Sequence, residues 1–227
     1  MTVNEYFGDW CKVIDTSKAE LLVNKLASSR QVVCPKVKDI FKSFRLCPLH
    51  SLRVVILGQD PYPNLVEGSP VATGIAFANS KYTPLSSYSP SLDILMESVI
   101  DFSLPHGSVT FDPSLESWES QGVLMLNSAL SCVTGKVGSH ALLWRPFIRS
   151  LLTNLSLHAN GIVYVLMGSE AQSFESCINH KFNHVLKTRH PSWYARTNTP
   201  MPHDLWLQIN NILIGQNGCG IEWYKNN

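Results

Sequence analysis

The residues best placed for chemistry stand where an apolar run stops. Val54-Val55-Ile56-Leu57 is followed at once by Gly58-Gln59-Asp60-Pro61-Tyr62-Pro63. Four apolar, mostly β-branched residues predict a fully buried strand, and Gly58 with two prolines ends it abruptly. A carboxylate, Asp60, and a phenol, Tyr62, are therefore held on a rigid loop at a strand's carboxyl end, where open α/β sheets place ligands. A carboxylate fixed there can stabilise a developing cation or draw a proton from water. Its plainer use is to cap its own turn before Pro61. Asn127 closes a second apolar run, where a buried amide needs partners, either from a ligand or from the next turn. His190 follows a further, weaker run and precedes Pro191 and Ser192, so its imidazole also sits on a post-strand loop. Among the eight histidines, His50, His106, His158, His180 and His203 have no such context, and His184 lies inside a run and reads as structural. Phe77 alone would read as core.

These groups need a sheet to hold them. Residues 53–58, 122–127 and 161–167 are short apolar runs ending in Gly or Asn, and 183–187 is a weaker fourth. Between them, residues 90–100 have apolar groups at helical spacing behind a Ser89 cap. Residues 144–156 repeat the pattern with Pro146 in the first turn, where it costs little. Residues 169–178 and 202–214 complete the set, Pro202 suiting a helix start. The alternation predicts an α/β fold: a central, mostly parallel four-stranded sheet with right-handed crossovers and helices on both faces. Residues 64–73 and 103–117, rich in Pro, Gly and Ser, read as long surface loops. There is no internal repeat and no low-complexity segment.

Composition bounds the rest. The chain has 227 residues, 44% hydrophobic, enough for one compact domain over 1–227. No apolar run reaches the roughly 18 residues of a membrane span. Met1 to Trp10 is mixed polar and aromatic, unlike a secretory signal, so the expected location is cytoplasmic, or nuclear for a eukaryotic or viral source. Six cysteines are scattered without a Cys-x-x-Cys pair, which argues for buried thiols rather than zinc or a disulfide framework. A formal net charge of +1 excludes a large basic platform for nucleic acid.

The loop Gly58-Gln59-Asp60-Pro61-Tyr62 resembles the water-activating loop of family 1 uracil-DNA glycosylases. Other segments follow in the family's order. Val33-Cys34-Pro35 through Phe44 is similar to its lead-in helix, Gly74-Ile75-Ala76-Phe77 to its stacking segment, and Ser89-Pro90-Ser91 to its backbone-pinching loop. Gly122 to Asn127 resembles the strand whose terminal Asn reads the base. Gly138-Ser139-His140-Ala141 and Gly168-Ser169-Glu170-Ala171-Gln172 are similar to downstream loops. His190-Pro191-Ser192 resembles the minor-groove loop, and Ile221-Glu222-Trp223 fits near the end. The likeness runs from about residue 33 to the C-terminus; the first thirty residues are uninformative.

The resemblance implies an enzyme that flips uracil out of DNA and hydrolyses its N-glycosidic bond, without cofactor or metal. It implies catalytic roles for Asp60, beside the sugar and the attacking water, and His190, donor to the uracil O2. Gln59, Tyr62, Phe77 and Asn127 would hold the base: Phe77 stacks, Tyr62 walls off a thymine methyl, and Asn127 reads N3–H and O4. Ser91, His140, Ser169, Ser192, Trp193 and Tyr194 would contact DNA. The implied partners are single- and double-stranded uracil-containing DNA and a proteinaceous inhibitor, with the enzyme a monomer.

Three features depart from the family pattern. Pro63 stands where many bacterial members have His, and the segment from Asn64 to Thr73 is longer than usual. The wedge that fills the emptied base stack, usually Leu, aligns with Tyr194, with Trp193 before it; Arg189 and Arg196 flank that loop and would favour phosphate. A non-enzymatic DNA-binding or docking module is the competing reading, and a glycosylase of wider range a third. Joint retention of Asp60, Tyr62, Phe77, Asn127 and His190 favours the enzyme; Tyr62 and Asn127 favour the narrow range.

Overall fold

The computed structural model of the chain describes residues 3–100 and 109–226. Its helices are α1 (Val3–Phe7), α2 (Thr16–Ala27), α3 (Lys42–Leu46), α4 (Pro90–Val99), α5 (Glu116–Glu119), α6 (Ala141–His158), α7 (Ser169–Gln172), α8 (Pro191–Thr197) and α9 (Asp204–Asn217). The strands are β1 (Val33–Cys34), β2 (Val54–Gly58), β3 (Leu65–Val66), β4 (Ser69–Pro70), β5 (Val109–Thr110), β6 (Val123–Asn127), β7 (Cys132–Val133), β8 (Val163–Met167), β9 (His184–Thr188) and β10 (Lys225–Asn226).

The four apolar runs form one sheet in the order β6-β2-β8-β9, every neighbouring pair parallel. β2, β6 and β8 are buried along their whole length because helices cover both faces. Strand periodicity sorts their side chains. Val55, Leu57, Leu124, Leu126, Tyr164 and Leu166 pack against the N-terminal segment and α6. Val54, Ile56, Val123, Met125, Val163 and Val165 pack against α4, α9 and a buried cluster of Trp118, Trp206 and Trp223. Truncating any of these rings to alanine costs ~3–5 kcal/mol. β9 is one of the two edge strands, and its exposed His184 and Lys187 discourage further pairing.

Several elements differ in extent from the sequence expectation. α6 begins at Ala141, so Pro146 lies inside the helix rather than in its first turn. The carbonyl of Leu142 thereby loses a donor, which is tolerable because Leu142 stands in solvent, 86% exposed. Ser89 occupies the N-cap of α4, but its side chain makes no capping bond. Its hydroxyl accepts from Asn79 at 2.9 Å, and Asn79 Oδ1 takes the Ser89 N–H at 2.8 Å. Residues 169–178 break into α7 and a 3-10 turn at Glu175–Cys177. α9 starts two residues after Pro202. The lead-in helix is two pieces, a 3-10 turn at Val37–Asp39 and α3.

Of the two expected loops, 64–73 contains a β3–β4 hairpin turning at Glu67 and Gly68, both with positive φ. In the other, residues 103–108 lie outside the described residues, as does His106. Residues 109–119 include β5, which pairs with β10, and α5. The first thirty residues hold structure the sequence did not signal. Asp15 caps α2 by accepting from Lys18 N–H at 3.1 Å. Trp10 is fully buried and donates its indole N–H to Cys47 O at 2.8 Å.

Candidate active site

Four strands deliver four loops to one cleft. The carboxyl ends of β2, β6, β8 and β9 contribute Gln59 to Pro63, Asn127, Gly168 with Ser169, and Thr188 with His190. Together with Ala72 to Phe77 they line a cavity of about 970 Å³.

The β2 loop is stitched to the chain after β6. Gly58 O accepts from Ser128 N–H at 3.1 Å, and Gln59 O from Ala129 N–H at 2.9 Å. Pro63 O accepts from Gly135 N–H at 2.9 Å. Asp60 is thus fixed on a loop with little freedom, and its Oδ2 accepts from Gly138 N–H at 2.7 Å. Burial raises its pKa above the usual carboxylate value, while the Gly138 N–H and the Gln59 side chain pull the other way.

Gly58 explains how two pocket groups come together. A Cβ there would stand 2.6 Å from Phe77 Cζ and 2.7 Å from Asn127 Oδ1, so both side chains pack over bare backbone. Phe77 itself has φ +66°, a conformation that side-chain-bearing residues adopt at a cost of ~1–3 kcal/mol. Tyr62 holds it there by donating its hydroxyl to Phe77 O at 2.8 Å. Burial drives that phenol's pKa upward, so it stays a neutral donor. Asn127 is 8% exposed, lines the cavity, and its side chain has no protein hydrogen-bond partner among the described residues.

His190 caps α8. Its Nδ1 accepts from Ser192 N–H at 3.2 Å and lies 2.9 Å from Ser192 Oγ. With Nδ1 acting as acceptor, the ring proton of the neutral form sits on Nε2. Burial, and then the charge of Arg196, lower its pKa to about 4, so the ring is neutral at ordinary pH. It leans on Phe77 with ring centroids 5.5 Å apart. Gly168 makes room: a Cβ there would meet His190 Cβ at 2.9 Å.

The cleft therefore unites a positioned carboxylate, an aromatic face, an unpartnered amide and a neutral N–H donor. The family model described as the Uracil DNA glycosylase superfamily matches residues 44–214. The chain belongs to the uracil-DNA glycosylase superfamily. Relatives include the uracil-DNA glycosylase of Pectobacterium atrosepticum, 35% identical over 88% of this chain and 85% of that one. The Yersinia pestis uracil-DNA glycosylase is 37% identical over 85% and 82% of the two chains. Among solved uracil-DNA glycosylases, that of mimivirus superposes with a TM-score of 0.74, 23% identity, and coverage of 98% and 99%. A Tyr-to-Phe variant of the same enzyme, in complex with UGI, gives a TM-score of 0.75 at 26% identity, covering 96% of this chain and 82% of that one.

Within this superfamily fold, the residues singled out from sequence separate into two groups. Asp60, Gln59, Tyr62, Phe77, Asn127, His190, Ser91, Ser169, Ser192 and Trp193 all line the cleft. His140 and Tyr194 do not. His140 Nδ1 lies 2.9 Å from Ser131 Oγ, which also takes the Trp144 indole N–H at 2.8 Å, tying the imidazole to the loop's support. Tyr194, aligned as the wedge, turns inward: it is 7% exposed, sits in the core and lies 3.0 Å from Thr188 Oγ1 through its hydroxyl. Trp193 instead lies at the cleft, its ring covered by the Arg189 guanidinium at 4.2 Å. Sequence reasoning missed Gln172, Lys187, Thr188 and Val137, which also line the cleft. Gln172 closes the Gly168–Gln172 segment and was passed over within it; Lys187 and Thr188 end β9, and Val137 follows β7, none of the three in a motif.

Proposed function

We propose that this protein is a monofunctional uracil-DNA glycosylase, releasing uracil from DNA and leaving an abasic site. The observation that carries the reading is the convergence of Asp60, Tyr62, Phe77, Asn127 and His190 on one cleft. Membership of the superfamily supports it. The nucleotide is flipped into the cleft, since its C1′ is out of reach in the stack. Phe77 stacks on the base, Asn127 accepts from N3–H and donates to O4, and Tyr62 blocks a 5-methyl group, with Gln59 completing the floor. As the N1–C1′ bond breaks, its electron pair goes to the base and positive charge builds on the sugar. The Asp60 carboxylate stabilises that cation and takes a proton from the water whose oxygen bonds to C1′. His190 donates Nε2–H to O2, a hydrogen bond that strengthens as the base becomes an anion. Ser91 and Ser169, which line the cleft, would contact phosphate. The cleft is complete within one chain, which supports action as a monomer on single- or double-stranded DNA. UGI is the partner to try as an inhibitor, because a solved relative binds it.

The test is uracil release from labelled single- and double-stranded oligonucleotides by wild type and Asp60→Asn. Wild type releases uracil, and the variant loses ~10²–10⁴ in kcat while still binding DNA. No release by wild type, or an Asp60→Asn variant as fast as wild type, overturns the assignment.

A further inference from the structure

Ser192 was expected to face phosphate, yet its hydroxyl is engaged on both sides. Arg196 Nη1 donates to Ser192 Oγ at 3.1 Å, and the same Oγ lies 2.9 Å from His190 Nδ1. A guanidinium only donates, so the one hydroxyl hydrogen of Ser192 is left to point at Nδ1. Nδ1 also receives the Ser192 N–H. Two donors thus converge on a nitrogen that would have to carry a proton in the other tautomer or in the imidazolium.

We infer that Arg196 is a positioning residue for glycosylase chemistry, acting through Ser192 to hold His190 as the neutral tautomer with its proton on Nε2. The inference rests on the reading of His190 as donor to the leaving base. Arg196 is exposed on the last turn of α8 at the edge of the cleft, and its hydrogen bond toward His190 runs through Ser192.

The surrounding charges single it out. Arg189 lies over Trp193, and Lys187 pairs with Glu175 at 3.1 Å. Glu170, on α7, pairs with Arg145 at 2.8 Å, and Asp60 across the cleft is bound to Gly138 N–H. On the remaining side His190 meets the uncharged ring of Phe77. Burial does most to keep the imidazole from protonating, and Arg196 is the charged group that adds to it. The rival account is that Arg196 merely clamps a phosphate.

The two accounts separate with Arg196→Gln, Arg196→Lys and Ser192→Ala in the full chain. Steady-state release of uracil from an oligonucleotide is measured alongside long-range ¹H–¹⁵N spectra of ¹⁵N-histidine-labelled free protein. We expect Arg196→Gln to lower kcat about 3- to 10-fold, the size of one hydrogen bond's net contribution, with KM little changed. The His190 titration moves toward the ordinary histidine value, and Arg196→Lys recovers most of both effects. The Arg196→Gln, Ser192→Ala double variant is no worse than the weaker single, because the two act in series. A raised KM with kcat and the His190 titration unchanged makes Arg196 a phosphate clamp and overturns the inference, as does full additivity. The histidine spectra need no turnover, so an inactive wild type would overturn the functional reading while the relay is still judged on its own.

Discussion

Burial shifts the pKa values of Asp60 and His190 in opposite directions. Desolvation disfavours charge, which raises the carboxyl pKa and lowers the imidazole pKa to about 4. The mechanism needs Asp60 ionised. As pH falls through its raised pKa the base is lost. We expect the acidic limb of the kcat/KM profile to fall above the ordinary carboxylate value of about 4, and to move with substitutions that expose Asp60. A limb at or below that value contradicts the burial argument. Base selection is a separate matter. Tyr62→Ala should admit thymine, since a methyl is discriminated by pocket shape to the extent of ~1–3 kcal/mol. Asn127→Asp should admit cytosine, because a carboxylic acid can present the reversed donor pattern. Release of each base from matched oligonucleotides measures both. If neither variant gains a base, these two side chains do not set specificity.

Two elements carry consequences beyond the cleft. On α5, Glu119 is fully buried against β6: its Oε1 accepts from Met125 N–H at 3.4 Å, and its Oε2 has no partner. The nearby Lys42 ammonium is taken by Glu116 at 2.7 Å. Burial raises the Glu119 pKa to about 8. A carboxyl that prefers its proton in the folded state contributes stability fully at pH below its unfolded value. That stability is lost as pH rises through about 8. Glu119→Gln keeps the neutral shape and removes the titration, so its stability relative to wild type should grow from pH 5 to pH 8, read from urea midpoints. An advantage that does not change with pH would falsify the protonated assignment. On α8, Tyr194 turns inward and Trp193 is the aromatic residue left at the cleft. Base stacking on an aromatic contributes ~1–3 kcal/mol, so Trp193→Ala should lose that much activity on duplex and less on single strands. Tyr194→Ala should act mainly on stability. Equal losses on both substrates for Trp193→Ala would leave the emptied stack unfilled by this helix.

Across the molecule, what could be read from sequence follows what each residue's neighbours are. Val54 to Gly58, Val123 to Asn127 and Val163 to Met167 are buried on both faces, so the whole strand is apolar and announces itself. The loops at their ends were legible because Gly, Pro and a lone polar residue interrupt such runs. The β3–β4 hairpin was not, since its turn is Glu67-Gly68 rather than Asn-Gly, and positive φ at Glu67 leaves no compositional mark. The onset of α6 at Ala141 was obscured by Pro146, which normally starts a helix. Linear alignment placed Tyr194 at the cleft, but adjacent residues of a short helix face different sides. Which of Trp193 and Tyr194 faces out depends on the core beneath α8. Glu119 gave no signal, because a buried carboxyl differs from an exposed one only in its surroundings. Arg196 lies one helical turn from Ser192, a spacing that acquires meaning only once Ser192 is known to touch His190.

The distribution of the six tryptophans turns the protein into its own optical probe. Trp10, Trp118, Trp144, Trp206 and Trp223 are buried, at most 6% exposed, while Trp193 alone lines the cleft. Emission from the five interior indoles should be insensitive to acrylamide and to DNA, leaving Trp193 to report occupancy. Titration with a uracil-containing oligonucleotide should quench a minor fraction of the intensity, and Trp193→Phe should abolish that change while keeping most of the total light. Undiminished quenching in Trp193→Phe would mean that DNA binding is felt inside the core, and that the sheet and its helices yield when the cleft is filled.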